Sequence, residues 1–295
     1  MQTIAGHTTN QPGNTAGQTS DAIAYAEFRV PDLERAVPFY RDLAGLSEVS
    51  RRDGRARLAG SPDTAPVVML TEDRGAKPRF PRSAGLFHLA LLYPTRRDLA
   101  LAFQRLHDHA WQFHGFADHG VSEALYMTDV DGNGIELYVD RQREHWPLRN
   151  GELEMVTEPL DFNSLLSELA HPAAESISAP IRAGHIHLQV TDLRRAEQFY
   201  HNTLGFDVTQ RTFAGALFLS ARGYHHHIGL NVWNSHRGHR FEDGATGLVQ
   251  FGIQSRDLKD RQSVLDQLRT HSIPLEPSRS GFVVRDPDNI RIEIL

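Results

Sequence analysis

Apolar and polar residues follow a strand-then-helix pattern in residues 184–206, and a similar pattern occurs near the start of the chain. His185 and His187 lie two positions apart in the predicted strand, so both rings would leave the same face of a sheet. The strand is followed by a turn, an amphipathic helix and a glycine. Residues 30–46 repeat the turn, the helix and the glycine at an offset of 160 positions. A repeat at a fixed offset indicates repeated structural units.

The same order of one strand, one helix and three strands (βαβββ) occurs four times. The four units span residues 22–71, 86–139, 185–233 and 247–295. Units two and four end alike, because Glu136 and Glu293 each lie seven residues after the first aspartate of an Asp-rich turn. We therefore predict an α+β fold of four βαβββ units in two paired domains.

The repeats divide the chain into two predicted domains. The N-terminal domain, 22–140, and the C-terminal domain, 184–295, contain two units each. Residues 141–183 are rich in charges and prolines and form the predicted linker, with one short helix near 163–170. Residues 1–21 are rich in Thr, Gly, Gln and Asn, and we predict that they form a disordered tail.

Composition narrows the classes of function. The net charge of −6 argues against a nucleic-acid partner, and no apolar run is long enough to span a membrane. The first residues lack the apolar segment of a signal peptide, so we expect a cytoplasmic protein. The chain has no cysteine, so a bound metal would need imidazole, carboxylate or water as ligands. The positions of the 17 histidines therefore decide where such a site can lie.

Aligning the four units places candidate metal ligands mainly in units two and three. Equivalent inward positions on the first strands hold Tyr25, His88, His185 and Leu248. The last strands of units two and four carry Glu136 and Glu293, and unit three has three consecutive histidines, 225–227, at the corresponding place. Two or three imidazoles with one carboxylate suit iron(II), and zinc, nickel and manganese accept the same ligands.

Each candidate ligand also has a purely structural interpretation. A single strand histidine such as His88 is more often a hydrogen-bonded core residue than a metal ligand. A carboxylate on an inward strand face is rarely buried without a partner, which makes Glu136 the better candidate. Since side chains alternate along a strand, at most two of the three histidines at 225–227 face inward. We choose His227, which lies deepest in the strand that continues to Val232.

Three further residues are candidates for acid–base chemistry. His187 lies roughly 7 Å along the strand from His185 and shares its face. His119 and Tyr126 precede the turn before Glu136. An imidazole exchanges protons near neutral pH, and a phenol can serve beside a bound substrate. Tyr126 is about as well explained by packing in the sheet with its hydroxyl at the edge.

These features resemble the vicinal oxygen chelate superfamily, which includes glyoxalase I, fosfomycin-resistance proteins, bleomycin-binding proteins and type I extradiol dioxygenases. The resemblance rests on Val-Thr-Asp-Leu-Arg-Arg-Ala-Glu-Gln-Phe-Tyr at 190–200 and on Asp-Val-Asp-Gly-Asn-Gly-Ile-Glu-Leu at 129–137. It implies mixed sheets curled into cups. The four-unit layout and Gly-Tyr-His-His-His-Ile-Gly-Leu-Asn-Val-Trp at 223–233 are similar to ring-cleaving dioxygenases of the catechol 2,3-dioxygenase type.

The resemblance implies roles for matching residues. His88 and His185 match the first-strand ligand of the family, Glu136 and Glu293 match its last-strand glutamate, and Tyr126 matches a tyrosine ten residues before that glutamate. Leu248 departs from the extradiol pattern, which has a second histidine there. One arrangement takes its ligands from units three and four, namely His185, His227 and Glu293. The other takes them from units two and three, namely His88, Glu136, His185 and His227. We prefer the second because it uses every well-placed ligand, although it leaves Glu293 without a role.

The function that the resemblance implies is extradiol ring cleavage. The expected cofactor is iron(II), with Mn(II), Ni(II) and Zn(II) as alternatives, and the expected partners are a small aromatic vicinal diol and dioxygen. Assembly into a homo-oligomer is left open. One alternative is a glyoxalase-like metal-dependent isomerase or lyase, which four protein ligands would favour. Another is a non-enzymatic binding protein of the bleomycin-resistance kind.

Overall fold

The structure, a computed structural model, describes residues 23–149, 152–170, 179–255 and 257–295. The predicted tail at 1–21 lies outside these residues. Each of the four units has the predicted order of one strand, one helix and three strands. Unit one contains β1 (Ile23–Val30), α1 (Leu33–Pro38), β2 (Ser47–Arg52), β3 (Arg55–Ala59) and β4 (Pro66–Glu72). Unit two contains β5 (Gly85–Leu92), α2 (Arg96–Asp108), β6 (Phe113–Asp118), β7 (Ser122–Thr128) and β8 (Gly134–Asp140).

The linker and the second half of the chain follow the same plan. The linker holds the strands β9 (Leu148–Arg149) and β10 (Glu152–Leu153) and the helix α3 (Phe162–Ser167). Unit three contains β11 (Arg182–Gln189), α4 (Leu193–Glu197), β12 (Asp207–Gln210), β13 (Ala216–Ser220) and β14 (Ile228–Asn231). Unit four contains β15 (Gly247–Ile253), α5 (Leu258–Thr270), β16 (Glu276–Pro277), β17 (Phe282–Arg285) and β18 (Arg291–Ile294). The helices α1 and α4 each continue into a π-helical segment, at Phe39–Leu43 and Gln198–Thr203.

The units pair across the chain to form two eight-stranded mixed sheets. The first sheet joins units one and four in the order β16-β17-β18-β15-β1-β4-β3-β2. The second sheet joins units two and three in the order β12-β13-β14-β11-β5-β8-β7-β6. The preferred pairing of units two and three is therefore present. Each sheet draws one unit from each predicted domain, and the boundaries at 22–140 and 184–295 stay a prediction.

One pattern of pairing is common to both sheets. The first strands of the two units pair antiparallel at the centre, β1 with β15 and β5 with β11. Within each unit the first strand is parallel to the last, as β5 is to β8. One face of the sheets supplies a shared apolar core, in which Phe28, Leu89, Ile186 and Phe251 are each fully buried. The opposite face of the second sheet carries the candidate site.

Helix caps fix which residues are equivalent in the four units. The cap residues are Asp32, Thr95, Asp192 and Asp257, and each side chain accepts a hydrogen bond from a backbone N–H of the first helical turn. Seven residues before each cap lie Tyr25, His88, His185 and Gln250. The fourth equivalent position therefore belongs to Gln250, and the alignment that placed Leu248 there was wrong. Leu248 is instead buried in the core beside its strand partner Phe28.

None of the described helices combines the length and apolar character that a bilayer crossing requires.

Candidate metal centre

Three neighbouring strands bring His88, Glu136 and His185 together. The strands β11, β5 and β8 are adjacent in the second sheet. Glu136 pairs with Ala90, two residues from His88, so both side chains leave the same face of the sheet. His185 lies opposite Ala90 on the other side, which places its ring on that face as well. The strand register therefore determines the cluster.

The three side chains meet at one carboxylate oxygen. His88 Nε2 lies 2.9 Å from Glu136 Oε2, and His185 Nε2 lies 3.1 Å from the same atom. The three ligand atoms all lie within 4.8 Å of one another. All three residues are buried, with exposed fractions of 7%, 2% and 1% for His88, Glu136 and His185. The close approach is thus shielded from solvent.

This geometry fits a divalent metal. With metal–ligand bonds of about 2.1 Å, two ligands at right angles lie about 3.0 Å apart, which matches both nitrogen–oxygen distances here. His88 Nε2 is buried and, within the described residues, has no hydrogen-bond partner, because it is not aligned to bond the carboxylate beside it. Two histidines and one carboxylate with open positions are the ligand set of non-haem iron(II) oxygenases.

The protonation states also suit a metal. Burial alone would raise the pKa of Glu136, but the facing imidazoles of His185 and His88 hold it well below its usual range. Burial lowers the pKa of His185, against the opposing pull of Glu136. The lowered pKa of Glu136 favours its ionised form, and the lowered pKa of His185 favours a neutral imidazole. These are the forms that bind a metal.

The fourth equivalent position offers no ligand. Gly229 pairs with His187 between β14 and β11, as Glu136 pairs with Ala90 between β8 and β5. The ring of His187 fills the space above Gly229, where an added Cβ would lie 2.8 Å from the ring. Among the described residues the cluster therefore offers three candidate protein ligands, and a metal held by them would keep positions for exogenous ligands.

The structure does not bring His227 into this cluster. Its Nδ1 accepts the backbone N–H of Ala221 at 3.1 Å, and its ring packs against that of Tyr224. The residues before Ile228 are not part of β14, so strict alternation does not apply to them. His226 faces the cavity instead. Its ring centroid lies 4.1 Å from that of His185, and burial lowers its pKa well below the ordinary value.

The three predicted acid–base residues all line the same cavity. His119 Nδ1 donates to the carbonyl of Val156 at 2.7 Å, so its Nε2 accepts the hydroxyl of Tyr126, also at 2.7 Å. Burial raises the pKa of Tyr126 well above its ordinary value, and the charge of Glu136 adds to the effect. Tyr126 is therefore a neutral phenol. The amide of Asn231 donates to His187 Nε2 at 3.1 Å, which leaves the proton of a neutral His187 on Nδ1.

The cavity has a volume of about 360 Å³. Much of its wall is apolar and aromatic, and these residues are Phe87, Phe116, Val121, Met155, Phe213, Phe218 and Trp233. Neither lysine nor arginine is among its described lining residues. A small ligand at the cluster would therefore be surrounded by apolar rings, as is typical of small-molecule sites.

The first sheet holds the equivalent of this cluster without its imidazoles. Glu293 pairs with Gly252, two residues from Gln250, as Glu136 does with Ala90 near His88. Tyr25 takes the place of His185, and its hydroxyl donates to Glu293. The amide of Gln250 donates to the Tyr25 hydroxyl at 3.0 Å. Hydrogen bonds thus satisfy Glu293, which explains its conspicuous position without a metal.

Comparisons with known proteins agree with the fold. A family model described as "Glyoxalase/Bleomycin resistance protein/Dioxygenase superfamily" matches residues 22–137 and 182–294. A catechol-2,3-dioxygenase of Bacillus subtilis (strain 168) is 37% identical over 270 residues, which cover 90% of this chain and 93% of that protein. A biphenyl-2,3-diol 1,2-dioxygenase of Rhodococcus globerulus is 29% identical over 51% of this chain and 82% of its own length. The crystal structure of glyoxalase I from Zea mays superimposes with a TM-score of 0.58 at 17% identity, over 92% of this chain and 91% of that one.

Proposed function

Because the chain belongs to the Glyoxalase/Bleomycin resistance protein/Dioxygenase superfamily, we propose that it is a metal-dependent extradiol dioxygenase that cleaves the ring of a catechol-like diol. The observation that carries the proposal is the cluster of His88, Glu136 and His185, which lines a largely apolar cavity. The similarity to a catechol-2,3-dioxygenase over most of the chain supports it. The glyoxalase-like alternative is less favoured, because Gly229 occupies the position of a fourth ligand.

The metal is proposed to be iron(II), held by His88, Glu136 and His185. Bound iron(II) would supply the redox chemistry that dioxygen needs and the positive charge that favours an ionised diol. Zinc, nickel and manganese accept the same ligands, but the oxygenase chemistry favours iron.

The residues around the proposed metal site would accept or donate protons during the reaction. His226 faces the cavity beside His185, and a neutral imidazole there can take a proton from a diol hydroxyl. Tyr126, held by His119, presents a neutral hydroxyl on the opposite side of His88. The aromatic wall, including Phe218 and Trp233, would exclude water from the reacting ring.

The cavity lining indicates the kind of diol. A carboxylated ring would bring a negative charge next to an apolar wall that has no lysine or arginine among its described residues. An alkyl or aryl substituent would instead bury apolar surface there. We therefore expect catechols with an apolar substituent to react with higher kcat/KM than carboxylated ones.

An oxygen-uptake experiment tests the function. Protein freed of metal by chelation is loaded with iron(II) without oxygen and then mixed aerobically with catechol, 4-methylcatechol and 3,4-dihydroxybenzoate. We expect oxygen uptake equal to the diol consumed and a yellow ring-fission product, with 4-methylcatechol preferred over the carboxylated diol. Zinc-loaded protein serves as the control and should consume no oxygen. Iron-loaded protein that binds diol but consumes no oxygen would rule out the proposal.

A further inference from the structure

A chain of hydrogen bonds leads from the cavity to the end of β8. His226 lines the cavity, and its Nδ1 lies 2.8 Å from Nδ1 of His225. His225 Nε2 in turn lies 3.0 Å from Asp140 Oδ1. His225 is fully buried, whereas the side chain of Asp140 is 20% exposed. Within the described residues, Nε2 of His226 makes no hydrogen bond, so it is available on the cavity side.

The direction of each bond follows from what each group can donate. An ionised carboxylate only accepts, so His225 Nε2 carries the proton that it shares with Asp140. When His225 is neutral, only one of its ring nitrogens can donate, so its Nδ1 accepts. His226 must then donate from its own Nδ1. Its Nε2, the atom on the cavity side, is left with a free lone pair.

A second set of contacts holds Asp140 in place. The hydroxyl of Tyr224 donates to both carboxylate oxygens of Asp140 at 3.0 Å. Burial and the charge of Asp140 raise the pKa of Tyr224 well above its ordinary value, so the hydroxyl keeps its proton. The hydroxyl of Tyr138 lies 2.7 Å from that of Tyr224, and this arrangement requires a glycine at 184, where a Cβ would lie 1.8 Å from the Tyr138 oxygen. These hydrogen bonds thus fix the position of the Asp140 carboxylate.

We propose that Asp140 and His225 are positioning residues that hold His226 in its Nδ1–H tautomer, with an unprotonated Nε2 directed at the cavity. The use of that lone pair, to take a proton from the diol, rests on the proposed function. The tautomer itself rests only on the hydrogen bonds. A free imidazole favours the opposite tautomer, with the proton on Nε2, so without this support His226 would present a donor to the cavity.

The tautomer can be measured directly. Full-length, metal-free protein with ¹⁵N-labelled histidine gives ring-nitrogen shifts that separate protonated from unprotonated nitrogens, and His225→Gln and His226→Gln identify the signals. We expect Nδ1–H on His226 and Nε2–H on His225 in the wild-type protein. Asp140→Ala should move His226 towards the Nε2–H form. Asp207→Ala, which removes an exposed carboxylate in the same sheet, should leave the spectrum unchanged.

A pair of substitutions at His225 provides the matched test. In His225→Gln the side-chain oxygen can still accept from His226 while the amide nitrogen donates to Asp140, so the tautomer should be kept. His225→Leu can do neither, so the tautomer should be lost. Equal His226 spectra for the Gln and Leu variants, or a wild-type His226 protonated at Nε2, would overturn the proposal.

Activity separates this proposal from the dioxygenase assignment. With iron loaded to the wild-type level, Asp140→Ala and His225→Leu should lower kcat tenfold or more, and His225→Gln should recover most of it. If the wild-type tautomer is as proposed but iron-loaded protein consumes no oxygen, the dioxygenase assignment fails and the positioning role stands. If the Asp140→Ala spectrum equals the wild type while the wild-type enzyme is active, only the positioning role fails.

Discussion

The ring of His187 covers Gly229 so closely that a Cβ at position 229 would lie 2.8 Å from the ring atom Cγ. The same pair of strand positions in unit two holds Ala90 and Glu136. Unit two thus combines a small residue on its first strand with a candidate ligand on its last. Unit three has the reverse, an imidazole on the first strand and no side chain on the last. This exchange limits the cluster to three candidate ligands among the described residues.

This contact predicts coupling between the two positions. Gly229→Ala should displace the His187 ring and lower the free energy of unfolding by about 1–3 kcal/mol, as overpacking does. In a His187→Ala background the three ring atoms nearest to the new methyl group are gone, so the same change should cost less. Urea unfolding of the wild type, both single variants and the double variant measures the coupling. Equal costs in the two backgrounds would contradict the contact.

Replacing each of the two equivalent glutamates by glutamine should have different effects on the metal content. Glu136→Gln removes the charged ligand between two imidazoles and should weaken metal binding at least 100-fold. Glu293→Gln changes a carboxylate that Tyr25 and Ser278 already satisfy, so metal content should stay at the wild-type level. Elemental analysis after dialysis against a fixed metal concentration compares the two. Equal loss of metal in both variants would place the site elsewhere.

The Asp-rich turns predict that threonine at position 31 gives a more stable protein than alanine there. Asp288 accepts the backbone N–H and the hydroxyl of Thr191, which precedes the cap of α4. At the equivalent place before the cap of α1 lies Pro31, which has neither donor, and Oδ2 of Asp131 is buried without a partner in the part of the chain that the structure describes. Pro31→Thr should exceed Pro31→Ala in free energy of unfolding by about 1 kcal/mol. An Asp131→Ala background serves as the control, since the difference should vanish there.

The buried carboxyl of Asp286 predicts a pH dependence. Burial raises its pKa to about 7, although the backbone N–H of Ile290 and the Tyr200 hydroxyl oppose the shift. The unfolded value is about 4, so the folded state holds this proton more tightly. Its contribution to stability is full below pH 4 and is lost as the pH rises towards 7, by about 4 kcal/mol at most, at about 1.4 kcal/mol per pKa unit.

Asp286→Asn keeps the shape of the carboxyl without its titration. Measured by urea unfolding, the stability of the wild type relative to this variant should fall between pH 4 and pH 7 and then level off. Parallel pH profiles for the two proteins would show that Asp286 does not titrate in this range.

Much of the architecture was predictable, because the βαβββ pattern recurs in the sequence with its helix caps and glycines. The closeness of His88, Glu136 and His185 was predictable, because the repeats place the two histidines at equivalent first-strand positions and the glutamate on a last strand. The pairing of units across the chain depends on contacts between distant first strands, so no local pattern shows it. Only the distribution of ligands pointed to units two and three.

Two residues, His226 and Gln250, were not identified from the strand pattern of the sequence. His226 was missed because residues 224–227 precede β14, and alternation cannot assign the inward side of an irregular segment. The three consecutive histidines indicated that this segment contributes to the site, but the sequence did not show which of them faces the cavity. Gln250 was missed, although counting seven residues back from the cap at Asp257 gives the equivalent position.

The way the sheets are closed has a consequence for biosynthesis. Strand β5 finds its partner β11 about 100 residues along the chain, whereas Ile23 of β1 must wait for Ile253, about 230 residues away. On the ribosome, the half of the molecule that carries the histidine cluster can be completed once unit three has emerged. Meanwhile β1 keeps an unpaired edge, which is open to mispairing with other chains. We therefore expect slow translation to cause more mispairing in the sheet of units one and four than in the sheet that carries the histidine cluster.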